Sequence, residues 1–72
     1  MRGVSNAWIT AKVKAKFVDD ADVHAFDINV DTDESGLVSL RGQVRSAFAA
    51  AKAIQDALDV QGVNAVDSYL TW

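Results

Sequence analysis

Few side chains in this sequence could take part in catalysis. The chain has no cysteine, and its one histidine, His24, stands near the carboxylate of Asp22 in a segment without helix or strand periodicity. Nucleophilic and general-base catalysis require several groups that converge on one pocket. A single histidine near one acid does not meet that requirement. We therefore predict that His24 is a loop residue without a catalytic role and that the protein is not an enzyme.

Two acidic segments raise the question of a bound cation. Segment 31–36 carries Asp, Asp and Ser at alternate positions and then Gly36, as in the first half of an EF-hand calcium loop. The bidentate glutamate that would complete the loop is missing, because its position is Gly42. A hairpin turn is the favoured interpretation, and the acidic run at 19–22 is typical of a solvated loop. We predict no metal ion and no cofactor.

The most informative charges lie in the first quarter of the chain. Residues 1–18 carry four basic side chains and no acid, a charge of +4. Residues 19–72 carry three basic and ten acidic side chains, a charge of −7, so the net charge of −3 conceals a dipolar protein. The basic end could attract an anionic surface. Its four basic residues are Arg2, Lys12, Lys14 and Lys16.

Tryptophan and lysine share one flank of the helix that this segment predicts. At about 100° per residue, Lys12 and Lys16 lie beside its apolar stripe, and Trp8 lies about 40° beyond Lys12. An indole beside ammonium groups suits a lipid headgroup region, where the ring lies at the polar boundary and the cations meet phosphates. We predict Trp8, Lys12 and Lys16 as lipid-binding residues, with Lys14 and Arg2 as weaker electrostatic contributors. In the alternative interpretation Trp8 packs in the core and the lysines form an ordinary solvated face.

The helix that carries these residues is predicted from about residue 7 to residue 18. Its apolar residues recur at every fourth position and therefore line one face. Ser5 or Asn6 can cap the first-turn amides, and the acidic run that follows ends the helix. The apolar stripe consists of Ile9, Val13 and Phe17.

From residue 26 the period changes to two, which predicts an antiparallel hairpin with its turn at residues 33–36. Gly42 lies at a position of the second strand that, by the alternation of its residues, faces the core. Its missing side chain predicts close approach by a packed helix, or a bulge. The inward-facing residues are Phe26, Ile28 and Val30 in the first strand and Val38, Leu40 and Val44 in the second.

A second helix is predicted from a cap at Ser46 to about Val60, and Gly62 follows its end. The alternating segment 63–72 predicts a third strand, which a right-handed crossover would place parallel to the second. The predicted fold is therefore α+β: a two-layer αββαβ sandwich with a three-stranded mixed sheet and two helices on one face. The residues predicted to face the core are Ala47, Ala51, Ile54 and Leu58 in the helix, and Val66, Leu70 and Trp72 in the strand.

Four local patterns in this order resemble the BON domain family. The second strand carries V-x-L-x-G-x-V at 38–44, and the junction before the third strand carries V-x-G-V-x-x-V at 60–66. The segments 6–13 and 51–54 resemble the OsmY-type members in particular. The resemblance covers residues 5–72 and leaves residues 1–4 as an N-terminal tail or remnant.

The resemblance implies an αββαβ domain of bacterial periplasmic or outer-membrane-associated proteins that binds phospholipid surfaces and has no catalytic residue. Gly42 and Gly62, within the two longer patterns, are expected to be structural. No signal peptide is recognised ahead of the domain. The expected location in the parent protein, periplasm or outer membrane, therefore rests on the resemblance alone.

We predict a non-enzymatic envelope module of osmotic stress that binds anionic phospholipid surfaces weakly through its first helix. One alternative is a protein-interaction or chaperone-like periplasmic stress module, in which a sheet face or edge pairs with another envelope protein. A second is a small-ion sensor that uses Asp31 and Asp33. Nucleic acid is not an expected partner, because only one short helix is basic and the sequence lacks a G-x-x-G loop and strand aromatics of the RNP type.

Overall fold

A computed structural model describes residues 5–23 and 27–72 of the protein. The sheet order is β1-β2-β3, with β1 antiparallel and β3 parallel to the central β2. The predicted α+β class with a three-stranded mixed sheet is confirmed. Phe26, predicted to belong to the first strand, lies outside the described residues. The elements are α1 (Asn6–Asp19), β1 (Ile28–Thr32), β2 (Leu37–Gln43), α2 (Ala47–Leu58) and β3 (Ala65–Thr71).

Helix α1 follows its predicted pattern closely. The hydroxyl of Ser5 caps it by accepting a hydrogen bond from the backbone amide of Trp8 at 3.1 Å. The hydroxyls of Thr10 and Thr32 are 2.9 Å apart and join α1 to β1. Large apolar side chains on one stripe fix the face that the helix buries. That stripe is Ile9, Val13 and Phe17, each at most 2% exposed.

The hairpin turn between β1 and β2 is organised by Asp33. Its Oδ1 accepts hydrogen bonds from the Ser35 amide at 2.8 Å, the Ser35 hydroxyl at 2.7 Å and the Leu37 amide at 3.1 Å. These bonds, led by the Ser35 hydroxyl, lower the pKa of Asp33. The carboxylate oxygen that a calcium loop would need is therefore engaged in holding the turn.

Gly42 in β2 pairs with Ile28, the first residue of β1. Its φ is +139°, and a Cβ atom at this position would overlap the carbonyl oxygen of Asp27 and lie 3.2 Å from the Ile28 Cα. The sequence predicts close approach by a packed helix, or a bulge, at Gly42; the neighbour is instead the backbone at the start of the paired strand. Gly62 also has a positive φ, +96°, in the loop between α2 and β3. Both glycines have a positive φ, a backbone conformation that other residues rarely adopt.

Helix α2 buries a different face from the one predicted. The prediction that Ala47, Ala51, Ile54 and Leu58 face the sheet is wrong: Ala47, Ala51 and Leu58 are exposed, and Ile54 is half-buried. Because alanine methyl groups let a helix backbone lie close to the sheet, α2 packs through a narrow face of small side chains. The large Phe48 remains 61% exposed. The buried residues are Ala49, Ala50, Ala53 and Ala57.

Strand β3 is confirmed but is shorter than the predicted 63–72, because it begins at Ala65 and ends at Thr71. Leu70 is buried and Val66 is half-buried, as expected from their shared parity. Trp72, predicted to face the core, is 64% exposed. The ladder with β2 ends at the pair of Gln43 and Thr71, so Trp72 lies past the last position that the pairing holds in the sheet. No helix within the described residues is long and apolar enough to cross a membrane.

Candidate functional site

A groove separates α1 from the C-terminal end of α2, and we call it the helix groove. It has a volume of about 310 Å³. Side chains from the basic flank of α1 form one wall, and the residues that follow α2 form the other. The structure therefore brings together the three residues predicted to contact lipid. The charged and polar lining residues are Trp8, Lys12, Lys16 and Asp19 on α1 and Asp59 and Gln61 after α2.

Trp8 lies at the rim of the helix groove. Its side chain is 38% exposed, unlike the buried stripe residues of the same helix, so it is not a core residue. The Lys12 Nζ is 5.5 Å from the centroid of the indole ring, within the range of a cation–π interaction. An ammonium group and a partly exposed ring thus share one edge of the groove.

The basic residues of the first segment differ in their relation to the groove. Lys12 and Lys16 are both exposed and one turn apart on the groove wall. Lys14 is exposed on the other side of α1, about 160° around the helix axis from Lys12, and is not among the groove residues. Arg2 lies outside the described residues. The lysines that line the groove are therefore the two that the helical repeat places beside Trp8.

Acidic residues complete this groove, and no pattern in the sequence indicated them. Asp19 at the end of α1 adds a carboxylate to the wall that carries the lysines, and Asp59, which follows α2, adds one to the other wall. The amide nitrogen of Gln55 donates a hydrogen bond to the Asp59 carboxylate at 3.0 Å, which fixes its position. The formal charges of the residues that line the groove therefore cancel. The positive charges are those of the two lysines, and the negative charges are those of Asp19 and Asp59.

A second polar region adjoins the helix groove, with which it shares Lys16 and Asp19, and we call it the carboxylate cleft. The Lys52 ammonium group on α2 is 3.5 Å from Asp20 Oδ2. Asp56 lies one turn after Lys52 and its buried Oδ2 has no hydrogen-bond donor among the described residues. The cleft has a volume of about 330 Å³ and is also lined by Lys16.

The two carboxyl groups of the cleft interact and titrate differently. Burial first, then the hydrogen bond and the negative charge of Asp20, raise the pKa of Asp56 to about 6. The hydrogen bond to Asp56 lowers the pKa of Asp20, as does the bond from the Asp22 amide at 3.0 Å. Lys52 and Lys16 act against the rise at Asp56 through their positive charge. Of the two carboxyl groups, Asp56 therefore keeps its proton to the higher pH.

Comparison with known proteins identifies the family. The family model of the BON domain matches residues 5–72. The chain belongs to the BON domain family. A curated relative, "Osmotically-inducible protein Y" of Escherichia coli strain K12, is 44% identical over 62 residues. The match covers 86% of this chain and 30% of the relative, so the chain spans less than a third of that protein's length. The predicted resemblance is confirmed.

The described part of this BON domain also contains residues that have metal-binding chemistry. Within residues 5–23 and 27–72, no three histidine, aspartate or glutamate side chains are grouped so that they could hold a metal ion. This includes the acidic run 19–22, whose Asp20 interacts with Asp56 and Lys52. His24 lies outside the described residues. The helix groove is therefore the arrangement in the BON domain that best matches the chemistry predicted for its first helix.

Replacing Asp56 with asparagine is expected to change how the stability of the BON domain depends on pH. Because the folded pKa of about 6 exceeds the ordinary 3.8, this carboxyl contributes stability below about pH 4, and the contribution is lost as the pH rises through 6. The variant should lose that decline and be more stable at pH 7 by about 1 kcal/mol, a value reduced for partial exposure. Thermal unfolding of both proteins between about pH 4 and pH 7 measures the difference.

Asp67→Asn provides the matched control, because it removes the same charge from an exposed position on β3. Its melting temperature should follow the pH profile of the unmodified protein. Equal pH profiles for Asp56→Asn and the unmodified protein would contradict the raised pKa of Asp56.

Proposed function

We propose that this BON domain associates peripherally with anionic phospholipid surfaces through the helix groove and takes no part in catalysis. The observation that carries the proposal is the placement of Trp8, Lys12 and Lys16 on one rim, with the indole partly exposed and an ammonium group 5.5 Å from its ring. An amphipathic ring at the polar boundary and cations that reach phosphates are the two components of an interfacial contact. Membership of the BON family supports a binding role.

The parent protein is proposed to act in the bacterial envelope, in the periplasm or at the outer membrane, during osmotic stress. The supporting observation is the similarity to a relative whose name describes it as osmotically inducible. Osmotic change acts on the envelope directly, so a domain bound to the lipid surface would lie where that stress acts.

Magnitudes indicate weak and reversible binding. A basic side chain near an anionic leaflet contributes about 1 kcal/mol, so Lys12 and Lys16 contribute about 2 kcal/mol, and all four basic residues of the first segment about 4 kcal/mol. The larger value corresponds to dissociation constants near 1 mM. Asp19 and Asp59 reduce the attraction further. Stable anchoring therefore requires a second binding module in the same protein, which raises the effective concentration.

A vesicle titration tests the proposal. In a Trp72→Phe background, the fluorescence of Trp8 reports on the groove alone. We expect its emission to shift to the blue with vesicles of phosphatidylglycerol and phosphatidylcholine, and backbone amide signals of residues 8–19 and 59–61 to move in nuclear magnetic resonance spectra. Pure phosphatidylcholine vesicles should have little effect, and salt near 1 M should reverse the shift because it screens surface charge.

Two results would contradict lipid binding at this groove. One is the absence of any Trp8 shift with anionic vesicles. The other is a shift of equal size with neutral vesicles that persists at high salt, because it would show that the lysines do not contribute. Trp8→Phe in the same background should remove the fluorescence change and so identifies the reporting residue.

A second candidate function is recognition of an extended protein segment by β3. The sheet order leaves β3 with one neighbour, and five of its seven residues are exposed. An unpaired edge of this length can add a strand from another chain. Such pairing uses backbone hydrogen bonds and would be indifferent to high salt and to charge reversal at Lys12 and Lys16. The ion-sensor alternative gains no support, because Asp33 is engaged in its turn.

A further inference from the structure

A second groove, which we call the sheet-end groove, lies where β1 begins and where β2 and β3 end. It has a volume of about 480 Å³ and is open to solvent. Its residues come from all three strand ends and from the start of the connection to α2. They are Asp27, Gln43, Val44, Arg45 and Trp72.

The backbone beneath this groove is held in place by interactions already formed. The amide of Val44 donates a hydrogen bond to the Thr71 carbonyl oxygen at 2.8 Å and thereby extends the ladder between β2 and β3. The absence of a side chain at Gly42 lets the carbonyl of Asp27 lie close to the end of β2, because a Cβ atom there would overlap it. The backbone that carries Gln43 and Val44 is therefore already ordered, whereas Trp72 follows the last paired position of β3.

The chemistry of the lining favours a neutral, hydroxyl-rich ligand. Trp72 presents an indole that is 64% exposed, and the side chains of Gln43 and Arg45 are exposed beside it. The positive charge of Arg45 is offset by the carboxylate of Asp27, so neither an anion nor a cation is favoured by the groove as a whole. The amide of Gln43 both accepts and donates hydrogen bonds and the guanidinium of Arg45 donates them, which suits the hydroxyl groups of a ligand.

A pyranose ring has this combination of properties. One of its faces is covered by C–H groups and packs on an aromatic ring, while its hydroxyl groups project at the edge where the planar polar side chains lie. We propose that the sheet-end groove binds a neutral oligosaccharide, with Trp72 as the stacking surface and Gln43 and Arg45 as hydrogen-bonding residues. The proposal does not depend on lipid binding at the helix groove.

The two grooves are separated by the length of α2. Arg45 lies just before the helix and Asp59 immediately follows it, and a 12-residue helix is about 18 Å long. The grooves share no lining residue. One domain could therefore hold a glycan chain at one end and contact a lipid surface at the other at the same time.

Titration of the full chain with neutral tetrasaccharides tests the proposal. N-acetylchitotetraose, cellotetraose and maltotetraose are added in turn, and inorganic phosphate serves as an anionic probe. We expect at least one sugar to move the amide signals of residues 27, 43–45 and 71–72, with a dissociation constant on the order of 1 mM, and phosphate to leave them unchanged. In a Trp8→Phe background, the fluorescence of Trp72 should change with the same concentration dependence.

Two matched variants distinguish the loss of the stacking surface from the loss of any exposed aromatic side chain. Trp72→Ala should weaken sugar binding at least about tenfold, since it removes the stacking surface. Phe48→Ala removes an aromatic side chain of similar exposure, 61%, from outside the groove and should leave binding unchanged. Both variants should unfold at nearly the temperature of the unmodified protein, because neither residue is in the core. Three results would overturn the proposal. They are the absence of a shift in these amide signals with all three sugars, a shift with phosphate in place of sugar, and unchanged sugar binding by Trp72→Ala.

Discussion

Replacing Lys12 and Lys16 together with glutamate is expected to weaken binding to anionic vesicles by about a thousandfold. Each substitution removes an attraction of about 1 kcal/mol and introduces a repulsion of similar size, so the pair changes the binding free energy by about 4 kcal/mol. Both side chains are exposed, and the fold should therefore be retained. Sedimentation with phosphatidylglycerol vesicles at low salt should detect binding of the unmodified protein and no binding of the double variant, because its dissociation constant would rise from about 1 mM to about 1 M.

The control must change the net charge equally at another place. Arg41→Glu with Arg45→Glu makes the domain as acidic as the test variant but alters residues outside the helix groove. This control should lose much less affinity. Asp59→Asn removes an anion from the groove and should strengthen binding. Equal losses in the two double variants would mean that net charge alone governs association, and the specific role of the groove would then be rejected.

Replacing Gly42 with alanine is expected to destabilise the fold severely, although it adds only one methyl group. A Cβ atom would overlap the Asp27 carbonyl oxygen, and the φ of +139° is itself unfavourable for alanine. Backbone strain of this kind costs about 1 to 3 kcal/mol, and the overlap adds to it by forcing β1 away from β2. We expect a loss of about 3 kcal/mol or more in the free energy of unfolding, much of the stability available to a domain of this size.

Denaturant unfolding followed by circular dichroism measures this loss. Gly62→Ala is the comparison for backbone conformation, because Gly62 also has a positive φ, +96°, and it should cost about 1 to 2 kcal/mol. If Gly42→Ala unfolds at the same denaturant concentration as the unmodified protein, β1 and β2 do not approach each other as described.

The fold was largely predictable where large side chains define a face. The buried side of α1 is determined by its three large apolar residues, Ile9, Val13 and Phe17. The buried side of β2 is determined in the same way by the alternation around Val38 and Leu40. Helix α2 offered no such contrast, because it contains many alanines. The packing of methyl groups against the sheet then decided its orientation, and the larger Leu58 was left outside.

Only one wall of the helix groove could be predicted from the sequence. Trp8, Lys12 and Lys16 belong to one helix, and the helical repeat alone places them on one flank. Asp59 and Gln61 reach the groove through the contact between α1 and α2, which depends on tertiary packing that no local pattern encodes. The position of Trp72 could not be predicted for the same reason. The alternation of residues in β3 indicated that Trp72 faces the core, but the pairing with β2 ends at Thr71, one residue before it.

The alanine face of α2 sets the width of the helix groove from inside the protein. Ala53 and Ala57 are fully buried, so a larger side chain at either position would lift the helix away from the sheet. The residues after α2 would move with it, and the distance between Asp59 and the lysines of α1 would change while every lining side chain stayed the same. Ligand preference at this surface can therefore be adjusted by substitutions that no ligand ever touches.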